Sequence, residues 1–141
     1  MNRPSKRETF LEMANVLSLQ STCIRRSVGC ILTNKYHHIV GSGYNGTAAG
    51  SSHCIQNHCD GNHLVSGKNL EQCQAIHAEQ NALMQCKDIH DIEVAYVTTF
   101  PCMHCMKMLL NTSCKLIVYN QPYDEESYTL WIKSGRIAVK L

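Results

Sequence analysis

Glu93-Val94-Ala95-Tyr96-Val97-Thr98-Thr99-Phe100-Pro101-Cys102-Met103-His104-Cys105 reads as a strand that runs directly into a helix. β-branched and aromatic residues fill the stretch from Glu93 to Thr99, and Pro101 suits the first position of a helix, where its missing N–H costs nothing. Leu116 to Tyr119 reads as the next strand, with a helix over 102–113 between the two and another over 124–134 after them. Arg136 to Leu141 closes the chain as a last strand. Upstream, Val28 to Thr33 and His38 to Gly43 read as two strands joined by a polar turn around Asn34 and Lys35. Ser5 followed by Glu8 has capping-box spacing, and Phe10, Leu11, Ala14, Leu17 and Leu19 form an apolar face, so a first helix is expected over 6–21. Helix formers from Ala78 to Gln85 predict another over 77–87. The order α-β-β-α-β-α-β-α-β predicts a three-layer α/β/α sandwich around a mixed five-stranded sheet.

The chain has 141 residues, 44% of them hydrophobic, enough for one core and one domain over 1–141. A net charge of +2 without a long basic run predicts no nucleic-acid and no membrane partner. Only nine aromatics are present, few for a groove that stacks the bases of a polynucleotide. The first residues carry no apolar signal core, and no apolar run approaches the roughly 18–20 residues that span a bilayer, so a cytoplasmic location is expected. Nine cysteines in such a chain read as reduced thiols and metal ligands. Cys30, Cys86 and Cys114 fall within apolar stretches and read as small core residues.

Cys102 and Cys105 stand three residues apart, so both sulfurs leave one face of a first helical turn. His77 opens the preceding helix and supplies a third nitrogen or sulfur ligand. Three protein ligands with a fourth position open to water is the pattern of a catalytic zinc. Two positive helix ends at that point favour thiolates and a hydroxide. Glu79, two residues beyond His77, is placed to move protons as general acid and base. His-x-Glu followed by Pro-Cys-x-x-Cys is the signature of zinc nucleobase deaminases, whose glutamate is not a ligand. Two other readings compete: a closed structural zinc with Glu79 as fourth ligand, and a thiol redox pair, which leaves His77 and Glu79 without a role.

Between 48 and 75 the pattern breaks into a long, polar, Gly-rich insertion holding His53, Cys54, His58, Cys59, His63 and Cys73. Loops of this length are functional or pinned when they are not disordered, and a second zinc would pin this one.

Four further stretches accompany these motifs: Ser21-Thr22-Cys23-Ile24-Arg25-Arg26-Ser27-Val28-Gly29, Gly43-Tyr44-Asn45-Gly46, His77-Ala78-Glu79-Gln80-Asn81-Ala82 and Tyr119-Asn120-Gln121-Pro122-Tyr123. With Phe100-Pro101-Cys102-Met103-His104-Cys105 they make the chain resemble the deoxycytidylate deaminase family, which has the cytidine deaminase fold. That resemblance implies hydrolysis of dCMP to dUMP and ammonia, feeding dTMP synthesis, in a homo-oligomer that is often a hexamer. It implies activation by dCTP and inhibition by dTTP near Tyr44 and Gly46, with Mg2+ accompanying a triphosphate effector.

Among substrate residues it implies Asn45 at the sugar, Arg25 and Tyr123 at the phosphate, and Ala78 and Phe100 in the base pocket. The Cys102 backbone N–H would hold the oxygen developing at C4. It also implies a structural zinc on Cys23 and Cys54, completed by Cys59 and Cys73, with His58 and His63 as alternative ligands. Each has a plain counterpart: Asn45-Gly46 is also a common hairpin turn, Arg25 a solvated charge, Tyr123 a half-buried aromatic and His104 exposed filler. Two functional alternatives stay open. One is use of dCTP as well as dCMP, with Arg26, Lys35 or Arg136 adding charge; the other is a catalytically silent zinc-binding nucleotide sensor, which would have no need of Glu79.

Overall fold

The computed structural model describes residues 2–23, 26–50 and 75–141. Helix α1 spans Lys6–Ser18 and begins as the capping box predicts: the Glu8 N–H donates to Ser5 Oγ at 3.1 Å, and the Ser5 N–H donates to the Glu8 carboxylate at 3.2 Å. It ends three residues earlier than expected. Ser18 Oγ turns back to the Asn15 carbonyl at 2.6 Å, and Leu19, counted above on the apolar face, is 79% exposed. Strands β1 (Gly29–Thr33) and β2 (Ile39–Tyr44) form a hairpin around the predicted turn. There Asn34 Oδ1 accepts from the N–H groups of Tyr36 and His38, and His37 takes the left-handed backbone at φ 63°.

Helix α2 (Ala78–Gln85), strand β3 (Val94–Thr99), helix α3 (Met103–Leu110), strand β4 (Leu116–Gln121), helix α4 (Glu125–Lys133) and strand β5 (Ile137–Lys140) follow. A short 3-10 turn over Ile89–Asp91, which the periodicity did not signal, links α2 to β3. The sheet order is β2-β1-β3-β4-β5; β1 is antiparallel to both its neighbours, and β3, β4 and β5 run parallel. This is the mixed five-stranded sheet expected.

Alternate side chains of each strand serve opposite faces. Ile31, Val94, Tyr96 and Val118 pack with Leu11 and Ala14 of α1. Cys30, Leu32, Ala95, Val97, Ile117 and Tyr119 pack on the other side with Ala82, Met106, Leu109 and Trp131, from α2, α3 and α4. The three layers follow directly, and β1 and β3 are buried through nearly their whole length because both faces are covered. Among the described residues no helix is long and apolar enough to cross a membrane.

One close approach positions the site. A Cβ at Gly43 would stand 2.5 Å from the Ala78 carbonyl oxygen, and one at Gly41 would run into that of Ala82. α2 lies on β2 at a distance that only glycine permits. Asn81 Nδ2 fixes the same helix sideways by donating to the Tyr44 carbonyl at 2.8 Å.

Candidate active site

His77 and Cys102 are the N-cap residues of α2 and α3, both with extended backbone, and Cys105 lies in the first turn of α3. Pro101 was expected at the first helical position; it sits one residue before the cap instead, because Cys102 takes φ −68°, ψ 171° and turns its sulfur toward α2. His77 Nδ1 stands 3.4 Å from Cys102 Sγ and 3.2 Å from Cys105 Sγ, and the three ligand atoms lie within 4.8 Å of one another. A tetrahedral zinc with Zn–N near 2.0 Å and Zn–S near 2.3 Å holds nitrogen and sulfur about 3.6 Å apart, so the cluster fits that ion with a small outward adjustment. Among the described residues this is the one group of three or more such side chains able to share a metal ion.

The electrostatics of the cluster set its two thiols apart. Hydrogen bonding from Cys105, then from His77, brings the Cys102 thiol down to about 4. The Cys105 thiol shifts upward, foremost because it bonds the Cys102 sulfur and then because it is buried. His77 is raised by its bond to Cys102, with burial and the charge of Arg26 opposing. Two helix N-termini converge here, and their partial positive charge favours the anionic sulfurs.

Glu79 is 4% exposed and stands outside the ligand group. Burial raises its carboxyl to about 7, the nearby Cys102 adding to the rise and hydrogen bonds from the backbone and Cys105 opposing it. A carboxyl titrating near neutrality is suited both to take a proton and to return it.

The surroundings of the expected substrate residues are well defined. Asn45 is buried: its Oδ1 accepts the Val28 N–H at 2.8 Å, and its Nδ2 donates to the Arg26 carbonyl at 2.7 Å. The hairpin turn offered as its plain reading does not form there. Gly46 instead pairs with Ile76 through backbone hydrogen bonds of 3.1 and 2.7 Å, which ties this stretch to the approach to His77. Ala78 is fully buried at the head of α2. Phe100 meets Tyr119 edge-on at 4.9 Å and Tyr128 at 5.4 Å, and with Tyr123 these rings line a hollow of about 260 Å³. Tyr123 lies under the guanidinium of Arg26, whose carbon is 4.3 Å from the ring centre.

Arg25, Cys54, Cys59, Cys73, His58 and His63 lie outside the described residues, while Cys23 is described and buried. His104 is exposed, Cys30 and Cys114 are fully buried and Cys86 is half-buried. Arg136, offered above as a charge for a larger nucleotide, is engaged at the other end of α3, where it donates to the carbonyls of Leu109, Leu110 and Thr112 at 3.0, 3.0 and 3.2 Å.

Two contributors, and one contact of a residue already named, escaped the sequence reading. Gln80 Oε1 accepts the His77 N–H at 2.8 Å, and its signal was the capping-box spacing His77-x-x-Gln80. Ser127, fully buried, donates to the Pro101 carbonyl at 2.9 Å. Arg26 stacks on a ring far along the chain. Neither of the last two leaves a local pattern.

The model for the cytidine and deoxycytidylate deaminase zinc-binding region matches residues 4–121, and the chain belongs to that family. It is 34% identical over 126 residues to the deoxycytidylate deaminase of Mycobacterium phage D29, covering 84% of this chain and 97% of that one. It is 34% identical over 131 residues to the deoxycytidylate deaminase of Schizosaccharomyces pombe; the match takes in 90% of this chain but spans only 40% of that longer relative. In fold it superposes on the dCMP deaminase of cyanophage S-TIM5, solved in complex with dCMP and dUMP, with a TM-score of 0.78, 24% identity and 100% coverage of both chains.

Proposed function

We propose that the protein hydrolyses dCMP to dUMP and ammonia, supplying dUMP for dTMP synthesis. The observation that carries this reading is the buried Glu79 carboxyl beside, but not within, a group of exactly two thiols and one imidazole. His77, Cys102 and Cys105 would hold a zinc ion, which would supply the Lewis acidity that makes water nucleophilic at neutral pH. Glu79 would take one proton from the attacking water and pass it to N3 of the cytosine ring, then take the second from the hydroxyl left on C4 and pass it to the departing amine, which leaves as ammonia while the C4 oxygen becomes the carbonyl. The helix end at Ala78 and the hollow at Phe100 orient the ring and exclude water, and the Cys102 backbone N–H steadies the oxygen formed at C4. Arg25 binds the phosphate and Asn45, through the second hydrogen of Nδ2, the sugar.

A monophosphate is favoured over a triphosphate because Arg136 is committed to α3 and Lys35 lies over Tyr36 in the β1–β2 turn, 5.2 Å from that ring. A silent sensor would have no use for a buried carboxyl poised near neutrality.

The same reading includes a structural zinc on Cys23 and Cys54, completed by Cys59 and Cys73. It also includes regulation by dCTP and dTTP. Its support is a hollow of about 520 Å³ lined by Tyr44 and Gly46 together with Thr22 and Thr47, whose buried hydroxyls have no hydrogen-bond partner among the described residues. A homo-oligomer, with a hexamer favoured, agrees with the exposed Met13, Val16 and Ile39 along α1 and the edge strand β2.

The deciding experiment is ammonia release by the zinc-loaded protein with dCMP and dCTP side by side, Glu79→Ala serving as blank, together with metal analysis. Turnover of dCMP that falls about 10²-fold or more in the blank is expected, with two zinc ions per chain. Equal turnover of dCTP refutes monophosphate selectivity, and one zinc per chain removes the structural site. Glu79-independent ammonia refutes the mechanism.

A further inference from the structure

Helices α2 and α3 meet in two steps, one turn apart. On α2 the residues involved are His77, its N-cap, and Gln80; on α3 they are Cys105 and Met108. The members of each pair stand three positions apart, so they share a helix face. The first members meet in the metal cluster, where His77 Nδ1 is 3.2 Å from Cys105 Sγ. The second members meet beside it, Gln80 Nε2 against the Met108 thioether at 4.0 Å. The same amide reaches back along its own helix, where Gln80 Oε1 accepts the His77 N–H at 2.8 Å. The other two amides of α2 are spent on β2: Asn81 donates to the Tyr44 carbonyl and Gln85 accepts the Ser42 N–H.

We propose that Gln80 is a positioning residue for the metal ligands, its oxygen fixing the backbone of His77 and its nitrogen spacing α2 from α3; this rests on the zinc site proposed above and not on which substrate is turned over. His77 turns Nδ1 to the thiols, the ring nitrogen nearer the main chain, so any shift of its backbone carries the ligand atom with it. The N–H of an N-cap residue has no partner within the helix ladder, and the Gln80 oxygen supplies one. Without that acceptor His77 is free to turn. The contact with Met108 is worth little in energy, because a thioether is a weak acceptor and the pair borders solvent. What it supplies is a fixed gap between the helices, one turn from the thiols. Partners that orient ligands in this way change metal affinity by about 10–100-fold when they are removed. One glutamine thus couples the imidazole carried by α2 to the thiols carried by α3.

The test is chelator competition for zinc, together with the visible spectrum of the Co2+-substituted protein, whose d–d bands report the symmetry of the ligand set. The variants are Gln80→Ala, Gln80→Glu, Met108→Leu and the double variant Gln80→Ala with Met108→Leu, each first shown by circular dichroism to be folded. Gln80→Ala should weaken zinc binding about 10–100-fold and shift the Co2+ bands, which a loss of stability alone would leave in place. Gln80→Glu keeps an acceptor for the His77 N–H but has no donor for Met108, and Met108→Leu keeps the first contact alone, so each should lose only a few-fold. The double variant should lose no more than Gln80→Ala, because the contact with Met108 is already gone. Zinc affinity in Gln80→Ala within about twofold of the wild type, wild-type Co2+ bands in that variant, additive losses in the double variant, or a loss in Gln80→Glu as large as in Gln80→Ala overturns the proposal. If Gln80→Ala does not fold, wild-type zinc affinity in both Gln80→Glu and Met108→Leu overturns it. A wild type that holds zinc yet releases no ammonia from dCMP removes the deaminase reading and leaves the role of Gln80 standing, whereas one that binds no zinc removes the site on which both rest.

Discussion

The two helices that meet at the metal centre are held in opposite ways. α2 is placed first by the absence of side chains: Gly41 and Gly43 let its backbone rest on β2, and the amides of Asn81 and Gln85 steady it on that strand, through the Tyr44 carbonyl and the Ser42 N–H. α3 is placed by bonds. Ser127 holds the carbonyl just before its N-cap, Arg136 holds three carbonyls at its C-terminal end and packs its guanidinium 5.1 Å from the Trp131 ring, and Met106 and Leu109 anchor its middle. A steric seat admits no added atom, whereas a bonded clamp gives way one bond at a time. His77 and Glu79 therefore depend on what β2 lacks, and the two cysteines depend on what α3 and α4 supply.

Gly43→Val breaks the seat and should show the largest effect. Its Cβ would press on the Ala78 carbonyl at 2.5 Å and on the Ala82 nitrogen at 2.7 Å. Ala78 is the first residue of α2, so the push falls on the end that carries His77 and Glu79. Overpacking of this kind costs about 1–3 kcal/mol or more, which for a domain of this size lowers Tm by about 3–5 °C per kcal/mol. Displacing one ligand from its partners should also weaken zinc about 10–100-fold in chelator competition. Wild-type zinc affinity with Tm unchanged would show that α2 can shift without cost, and the contrast between the helices would collapse.

The same contrast explains what could be read in advance. Cys102 and Cys105 were legible because a spacing of three puts both on one helix face, and His77 and Glu79 because His-x-Glu precedes that Pro-Cys-x-x-Cys in a known signature. The layers were legible because strand residues alternate between two covered faces. The end of α1 was not: Leu19 is apolar, but the Ser18 hydroxyl had already turned back on Asn15. The exact cap of α3 was missed because proline suits the first helical position in general, whereas here the extended backbone of Cys102 makes that residue the cap and leaves Pro101 before it. Gly41 and Gly43 looked like ordinary strand interruptions, since nothing local says that a helix from residue 78 will lie on them. The stack of Arg26 on Tyr123 and the grip of Arg136 on α3 join segments remote in sequence, and such contacts carry no period.

Arg136→Ala tests the clamp at the far end and should have an intermediate effect. Hydrogen bonds from a charged donor are worth about 1.5–3 kcal/mol where they cannot be replaced, and water reaches part of this site. Tm should fall by about 5–10 °C while zinc affinity stays within about threefold, because the lost bonds lie at the end of α3 remote from the cysteines, roughly 12 Å along an eight-residue helix. Arg136→Lys should restore little, since one ammonium cannot span three carbonyls and the Trp131 face. Zinc loss as large as in Gly43→Val would mean that α3 moves as a rigid rod and that its two ends are not independent.

Ser127→Ala should give the smallest effect and locate it most closely. One hydroxyl proton serves two carbonyls, Pro101 at 2.9 Å and Asp124 at 2.9 Å, so its removal costs about 1 kcal/mol in stability, or about 3–5 °C in Tm. The Pro101 carbonyl lies immediately before Cys102, however, so the slack appears where the sulfur must be aimed. Zinc affinity should therefore fall further relative to Tm than it does in Arg136→Ala, by a few-fold against almost none, in the same chelator competition. If Ser127→Ala and Arg136→Ala lose zinc in proportion to their losses of stability, the ligand end of α3 is held by the core alone, through Met106 and Leu109, and the clamp at Pro101 contributes packing rather than aim.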